Sequence, residues 1–268
     1  MPIITISRGS YSKGKEIAEK LAQKLGFECI SRDILIEASE YFNIPEVKLV
    51  RAIHDAPSVL DRFTYGKEKY IAFIREALLA RVQKDNVIYH GLAGHFFLER
   101  LPNVLKVRII ANMEDRVTEE MHREKVSEER ARYLLQKDDE ERRKWSMYLY
   151  GIDTWDPRLY DVVLHVNQLN IDDAVDILVH TAKRPCFRTT PESKVLLENM
   201  LLAAKARRAL INEFPAADIS SRDGVLFVNV EAPLSQQNHI ITKVDQLLKN
   251  IDGVQAIQTH IIPLITTD

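Results

Sequence analysis

The sequence predicts an α/β protein: a parallel sheet layered between helices, followed by a smaller α-β-β-α-β unit. Three observations carry this reading. Short β-branched and apolar runs alternate with helical patterns up to about residue 183, as expected of parallel strands joined by crossover helices. A glycine-bracketed loop, Gly9 to Gly14, stands between the first such run and the first helix. Around 184–193 the alternation stops in Arg-Pro-Cys-Phe-Arg-Thr-Thr-Pro-Glu-Ser, and a different order of elements resumes.

The composition bounds the function. The 268 residues suffice for one or two domains with real cores. A formal net charge of −2 argues against a general nucleic-acid binder, which would carry a basic excess. Two cysteines, Cys29 and Cys186, offer no disulfide framework and fit a reducing, cytoplasmic setting. The N-terminus does not read as a signal peptide, and no uncharged apolar run reaches the roughly 18 residues of a membrane span.

The elements follow in order. Ile3–Ile6 reads as a strand, and the helix after the loop sets Ile17, Leu21 and Leu25 on one face. Residues 27–30 read as a short strand ending at Ser31-Arg32-Asp33. Helices are expected over 34–41 and 45–54, the second with Pro45 at its start. A strong amphipathic helix covers about 67–83, with Tyr70, Ile74, Leu78 and Val82 inward. Strands at 86–89 and 107–111, a densely charged helical stretch at 114–148, a strand at 162–166 and a helix at 171–183 complete the first unit. Beyond a linker at 185–193, where Ser193 can cap the next helix, come helix 194–213, strands 219–221 and 225–230, helix 235–250 and strand 256–263.

The loop Gly9-Ser10-Tyr11-Ser12-Lys13-Gly14-Lys15-Glu16 has the G-x-x-x-x-G-K spacing of a phosphate-binding P-loop. Such a loop works because successive backbone N–H groups converge on an anion at a helix N-terminus, where the dipole also favours negative charge. Lys15 supplies a mobile charge for β/γ-phosphates. The blander reading is a glycine-containing strand–helix turn without ligand. Glu16 stands where a Ser or Thr would hold Mg²⁺; it either approaches the metal through water or is a first-turn acid favoured by the helix dipole.

Further along, Asp139-x-x-Arg142 is followed by Asp156-Pro157-x-x-Tyr160-Asp161 running into a strand. With ITISRG…GKEIAEKLAQKLGF and Asp33, these residues resemble the cytidylate kinase-like family of P-loop nucleoside monophosphate kinases over roughly residues 1–183. The resemblance implies a three-layer P-loop kinase domain over 1–184, with a helical lid at about 114–150. It also implies ATP and Mg²⁺ as cofactors and a nucleotide substrate. Arg142 is then the lid arginine that meets the transferring phosphoryl, and Asp139 orients it or lies near Mg²⁺. Arg116 lies near the ATP base and phosphates. For most arginines of the stretch the plainer reading is a solvated face laced with i,i+4 ion pairs.

The chain departs from the family pattern at the loop His90-Gly91-Leu92-Ala93-Gly94-His95, which lacks the arginine that meets the acceptor nucleotide. Gly91 and His95 remain acceptor-site candidates, with Arg75 or Arg100 as a substitute cation. Asp33 is either an acceptor contact or an N-cap. The Tyr11-Ser12-Lys13 filling is also bulkier than a glycine-rich loop. Residues 194–268 resemble a BON domain, through Asp223-Gly224-Val225 and Ile251-Asp252-Gly253-Val254, which implies a hydrophobic ligand; the plainer reading is a packing or dimerisation module, and with no catalytic constellation of its own the unit is expected to regulate or oligomerise the first. Two functions therefore stand: phosphoryl transfer from ATP to a CMP-like or related small acceptor, or a degenerate kinase fold that senses nucleotide.

Overall fold

The computed structural model describes residues 2–9, 12–31, 65–91 and 94–263. Ser10, Tyr11, Asp33 and the helices expected at 34–41 and 45–54 lie outside the described residues. The described chain divides into two compact units, one of residues 2–31 and 84–190, the other of residues 65–83 and 191–263.

The first unit is built on five parallel strands: β1 (Ile3–Arg8), β2 (Glu28–Ile30), β3 (Val87–His90), β4 (Val104–Ala111) and β5 (Val162–Val166), in the order β2-β3-β1-β4-β5. Ile3, Ile4, Thr5 and Ile6 are all buried, as are all four residues of β3. A central parallel strand is covered on both faces, so its sequence is a continuous apolar run rather than an alternation. On one face, α1 (Gly14–Leu25) and the later helix Ile171–Ala182 bury Ile17, Ala18, Leu21, Ala174, Val175 and Leu178 against Ile4, Ile6, Leu105, Val107 and Ile109. Lys20–Asp172, at 3.0 Å, and Lys24–Asp176 tie the outer edges of those two helices.

Between β4 and β5 lies the charged stretch, which is two helices rather than one. The first runs Met113–Glu124 and the second Glu128–Tyr150; Lys125 breaks them with a left-handed φ of 54°. Ser127 then caps the second helix by accepting from the Arg130 N–H. Val117, Ala131 and Leu135 form the small core that holds the pair together. The helix Gly94–Phe97 follows β3 directly. Numbered in chain order, with Gly66–Val82 as α2, these are α3 (Gly94–Phe97), α4 (Met113–Glu124), α5 (Glu128–Tyr150) and α6 (Ile171–Ala182).

The Asp-Pro-x-x-Tyr-Asp segment is a set of fasteners. Asp156 caps a short 3-10 turn at Pro157–Leu159. The Tyr160 hydroxyl donates to the Thr154 carbonyl at 2.9 Å and lies 3.1 Å from Ser7 Oγ on β1. Asp161 accepts the Lys106 N–H at 2.8 Å, fixing β5 beside β4.

The second unit contains α2, α7 (Pro191–Leu210), α8 (Gln237–Leu248) and a three-stranded sheet in the order β6-β7-β8 (Asp218–Arg222, Val225–Ala232, Ala256–Pro263). β6 and β7 pair antiparallel and β7 and β8 parallel, giving the expected α-β-β-α-β order. Leu226, Val228, Val230, Val244, Leu248 and Ile261 fill its core. Two details differ from the sequence reading. α7 begins at Pro191, so Ser193 is a buried first-turn residue and not a cap. The amphipathic helix α2 does bury Tyr70, Ile74, Leu78 and Val82, but it packs on α7. Arg208 of α7 bonds Glu76 at 2.5 Å and lies over Phe73, 5.9 Å from the ring centroid.

Candidate phosphate and nucleotide site

β1 connects to one side of the sheet, towards β2, and β4 connects to the other, towards β5. In open α/β sheets a crevice forms beyond the carboxyl ends of such a strand pair. A cavity of about 290 Å³ lies there, lined by Ser7, Arg8, Gly9 and Ser12 of the loop side and by Arg108, Arg116, Asp139, Arg142, Thr154 and Trp155 opposite.

The described residues of the loop are held by side-chain bonds and close packing. Ser12 is fully buried, and its hydroxyl is shared between the carbonyls of Gly9, at 3.0 Å, and Ile109, at 3.2 Å. That bond fastens the loop to β4. Lys13, just before the helix, takes a left-handed φ of 61°, costing about 1 kcal/mol in a non-glycine residue. Gly14 opens α1 with no room for a side chain: a methyl there would lie 2.8 Å from Arg8 Cβ and 2.9 Å from Arg8 Cδ. Arg8 therefore lies across the helix N-terminus.

Opposite the loop, Arg116 donates to Asp139 at 2.7 Å, and both side chains are nearly buried. A methyl at Gly9 would lie 3.7 Å from Asp139 Oδ1 and 3.8 Å from the Arg116 guanidinium, so this pair abuts the loop. Arg142 is half-buried in the cavity wall and has no hydrogen-bond or ion-pair partner among the described residues. Four arginines line the cavity against one carboxylate. Such a surplus of planar cations suits a multiply charged anion.

A second cavity of about 430 Å³ adjoins the first, sharing Ala111 and Arg116 with it; Lys13, Lys20, Asn167, Asn170 and Asp172 also line it. Lys20 is held above its usual pKa, chiefly by its bond to Asp172.

The structure thus gathers Gly9, Ser12, Arg116, Asp139 and Arg142 of the expected site into one cavity and brings Lys13 to the next. Lys15 and Glu16 do not line either cavity. Both lie on the exposed side of α1, within 3.7 Å of Glu19 and Lys20 respectively. Arg75 belongs to α2, in the second unit. Gly91 and His95 serve packing. A methyl at Gly91 would lie 2.5 Å from the Tyr89 hydroxyl oxygen, and one at Gly94 would collide with Tyr89 Cε1. Burial pushes the Tyr89 phenol up to about 12. His95 is buried against Phe96 and Tyr160, at ring distances of 4.1 and 4.9 Å. Burial, with Lys106 and Arg108 nearby, pushes its pKa down to about 3.

Sequence reasoning missed Arg8, Arg108, Thr154 and Trp155. A signal existed for two of them. Arg8 stands at the carboxyl end of β1, and Arg108 interrupts an apolar strand between buried Val107 and Ile109.

A parallel 2-3-1-4-5 sheet with a glycine loop and an arginine-lined cavity at its switch point defines a P-loop kinase-like α/β protein. The chain belongs to the cytidylate kinase-like family, whose model matches residues 3–168. It is 24% identical over 182 residues to a cytidylate kinase of Sulfolobus acidocaldarius, a match spanning 68% of this chain and 94% of that one. It is 35% identical over 103 residues to a cytidylate kinase of Methanosarcina acetivorans, spanning 37% of this chain and 56% of that one. In fold it is similar to an uncharacterized protein from Eubacterium ventriosum, with a TM-score of 0.52 and 21% identity over 69% of this chain and all of the other. No helix among the described residues is long and apolar enough to cross a membrane.

Proposed function

We propose that the protein transfers the γ-phosphoryl group of ATP to a nucleoside monophosphate, CMP-like in kind, or to a related small acceptor. The observation that carries this reading is the convergence of Gly9, Ser12, Arg116, Asp139 and Arg142 on one cavity at the carboxyl ends of β1 and β4. In the reaction, an acceptor phosphate oxygen bonds to the γ-phosphorus, the bond from that phosphorus to the β,γ-bridging oxygen breaks, and ADP leaves. Negative charge spreads over the equatorial oxygens, so positioning and cationic stabilisation carry the catalysis.

Arg142 is the residue we assign to that charge, because it lines the cavity with no protein counter-anion among the described residues. Arg116, set between the two cavities and oriented by Asp139, contacts donor phosphates on one side and the nucleoside on the other. Lys15, the second residue of α1, lies outside both cavities beside Glu19, and we assign it to the β/γ-phosphates on the ground that its flexible stem can leave that exposed partner for them. Mg²⁺, when bound, would neutralise phosphate charge and would be held mainly by substrate phosphates and water, as this ion prefers. Glu16 and Asp139 are the carboxylates we assign to its water shell.

The second unit, with its own core and its α-β-β-α-β order, we read as a BON-like module that regulates or oligomerises the kinase. Sedimentation of the full chain across concentration tests the oligomer. ATP turnover with Mg²⁺ against a panel of nucleoside monophosphates, wild type beside Arg142→Ala, tests the activity. A loss on the order of 10³-fold in the variant is expected; equal turnover in both would remove Arg142 from the chemistry.

A further inference from the structure

The loop after β3 supplies no arginine for an acceptor nucleotide, and its Gly91 and His95 are engaged in packing around Tyr89 and Tyr160. The cavity nonetheless carries cations and an aromatic ring on its other wall. Arg108 rises from β4, half-buried, and its Nη1 donates to the Thr154 carbonyl at 2.7 Å. Its guanidinium also lies 5.7 Å from the centroid of the Tyr160 ring. One nitrogen is thus used for orientation, and a planar fork retains further donors for a phosphate.

Trp155 follows directly in the chain and lines the same cavity, yet 49% of it is exposed. An aromatic ring that lines a cavity with part of its surface open offers a flat face on which a planar base can stack. This one is held in place. Its backbone N–H donates to Asp153 Oδ1 at 3.0 Å. Asp153 bonds Arg143 at 2.5 Å, and the Arg143 guanidinium lies 4.9 Å from the indole centroid. The Arg143 bond is the leading reason that Asp153 is held below the usual carboxylate range, with the Trp155 N–H next. An indole oriented by Arg143 and Asp153 is a stacking platform rather than a loose surface residue.

We infer that the turn between α5 and β5 forms the acceptor subsite: Trp155 stacks a planar base and Arg108 receives the acceptor's phosphate. The ligand class is a nucleoside monophosphate, whose flat base and dianionic phosphate match the two groups. Arg8, which lines the cavity from the loop side, adds charge at the junction with the donor phosphates. This inference rests on the kinase reading above, because only an acceptor makes a second phosphate position necessary.

The test separates the two. Tryptophan fluorescence of the full chain is titrated with CMP, UMP, AMP and GMP in the absence of ATP. In parallel, steady-state turnover gives KM for the acceptor and for ATP separately. Trp145 is wholly buried, so Trp155 carries the quench. Quenching is expected in the wild type and absent in Trp155→Phe, while acceptor KM rises on the order of 10-fold in Trp155→Ala and is restored by Trp155→Phe. Arg108→Ala is expected to raise acceptor KM by a similar factor and leave ATP KM unchanged; Arg108→Lys recovers it only in part, since an ammonium loses the fork.

Wild-type turnover with acceptor KM unmoved in Trp155→Ala and Arg108→Ala would overturn the subsite and leave the kinase standing. Quenching by a monophosphate without turnover would keep the subsite and overturn the kinase. A wild type that neither binds nor phosphorylates any monophosphate would overturn both.

Discussion

Arg116 and Asp139 meet at 2.7 Å, nearly buried, against the Cα of Gly9. One comes from the first helix after β4 and the other from the second, so a single ion pair joins both arms of the charged hairpin to the phosphate loop. A buried pair contributes little beyond an apolar equivalent, but removing one partner takes a close counter-charge from the other. Asp139→Ala should therefore destabilise the chain by roughly 3 kcal/mol, seen as a lowered urea midpoint. Inorganic phosphate at high concentration should restore part of that loss by pairing with Arg116. An unchanged midpoint would mean that the pair is exchanged for water without cost.

Gly14 and Arg8 make a second prediction. The contact of a Gly14 methyl with Arg8 Cβ, an atom that cannot swing away, forces the start of α1 to shift. Gly14→Ala should weaken ATP binding by about 10-fold or more while leaving the core of the second unit, and its share of the unfolding signal, unaltered. Equal ATP affinity by calorimetry would show that the helix start does not hold the phosphates.

His95 predicts an acid sensitivity. Its pKa is pushed from 6.5 down to about 3, first by burial and then by Lys106 and Arg108. The unfolded chain takes up a proton below about pH 6.5 that the folded chain refuses until near pH 3. Its contribution to stability is thus complete above pH 6.5 and falls as pH drops through that window, by up to ~1.4 kcal/mol per pH unit. Urea midpoints at pH 7 and pH 5 should show a shallower loss for His95→Leu than for wild type. Parallel slopes would place the sensitivity elsewhere.

Tyr160 offers a stability test at the back of the cavity. Its hydroxyl bridges Thr154 and Ser7, both buried, so Tyr160→Phe takes a partner from the Ser7 hydroxyl and leaves the Thr154 carbonyl to Arg108 alone, which should cost about 1–3 kcal/mol. It should also loosen the turn that carries Trp155, raising acceptor KM more than ATP KM. A variant with wild-type stability would mean that water replaces the hydroxyl.

Much of this was legible before any coordinates. β1, the loop and α1 announce themselves because a buried β-branched run, two glycines and a 3.6-residue stripe each require one local structure. Asp139 and Arg142 could be singled out by motif, and Arg116 by its place after a strand. What stayed hidden was pairing in space. Periodicity shows that α2 has an apolar face but not that α7 covers it. Nothing in the spacing of Arg8 and Gly14, or of Arg108 and Thr154, reveals contacts made across strand ends. Lys125 also carries no turn signal of the Gly or Pro kind, so the break between α4 and α5 read as one continuous helix.

The most direct measurement of the central claim is ³¹P NMR of ATP, Mg²⁺ and CMP incubated with the full chain. The account predicts ADP and a nucleoside diphosphate appearing in equal amounts, with no inorganic phosphate and with the signal lost in Lys15→Ala. Spectra unchanged for CMP and every other monophosphate, despite measurable ATP binding, would contradict it and leave a nucleotide sensor.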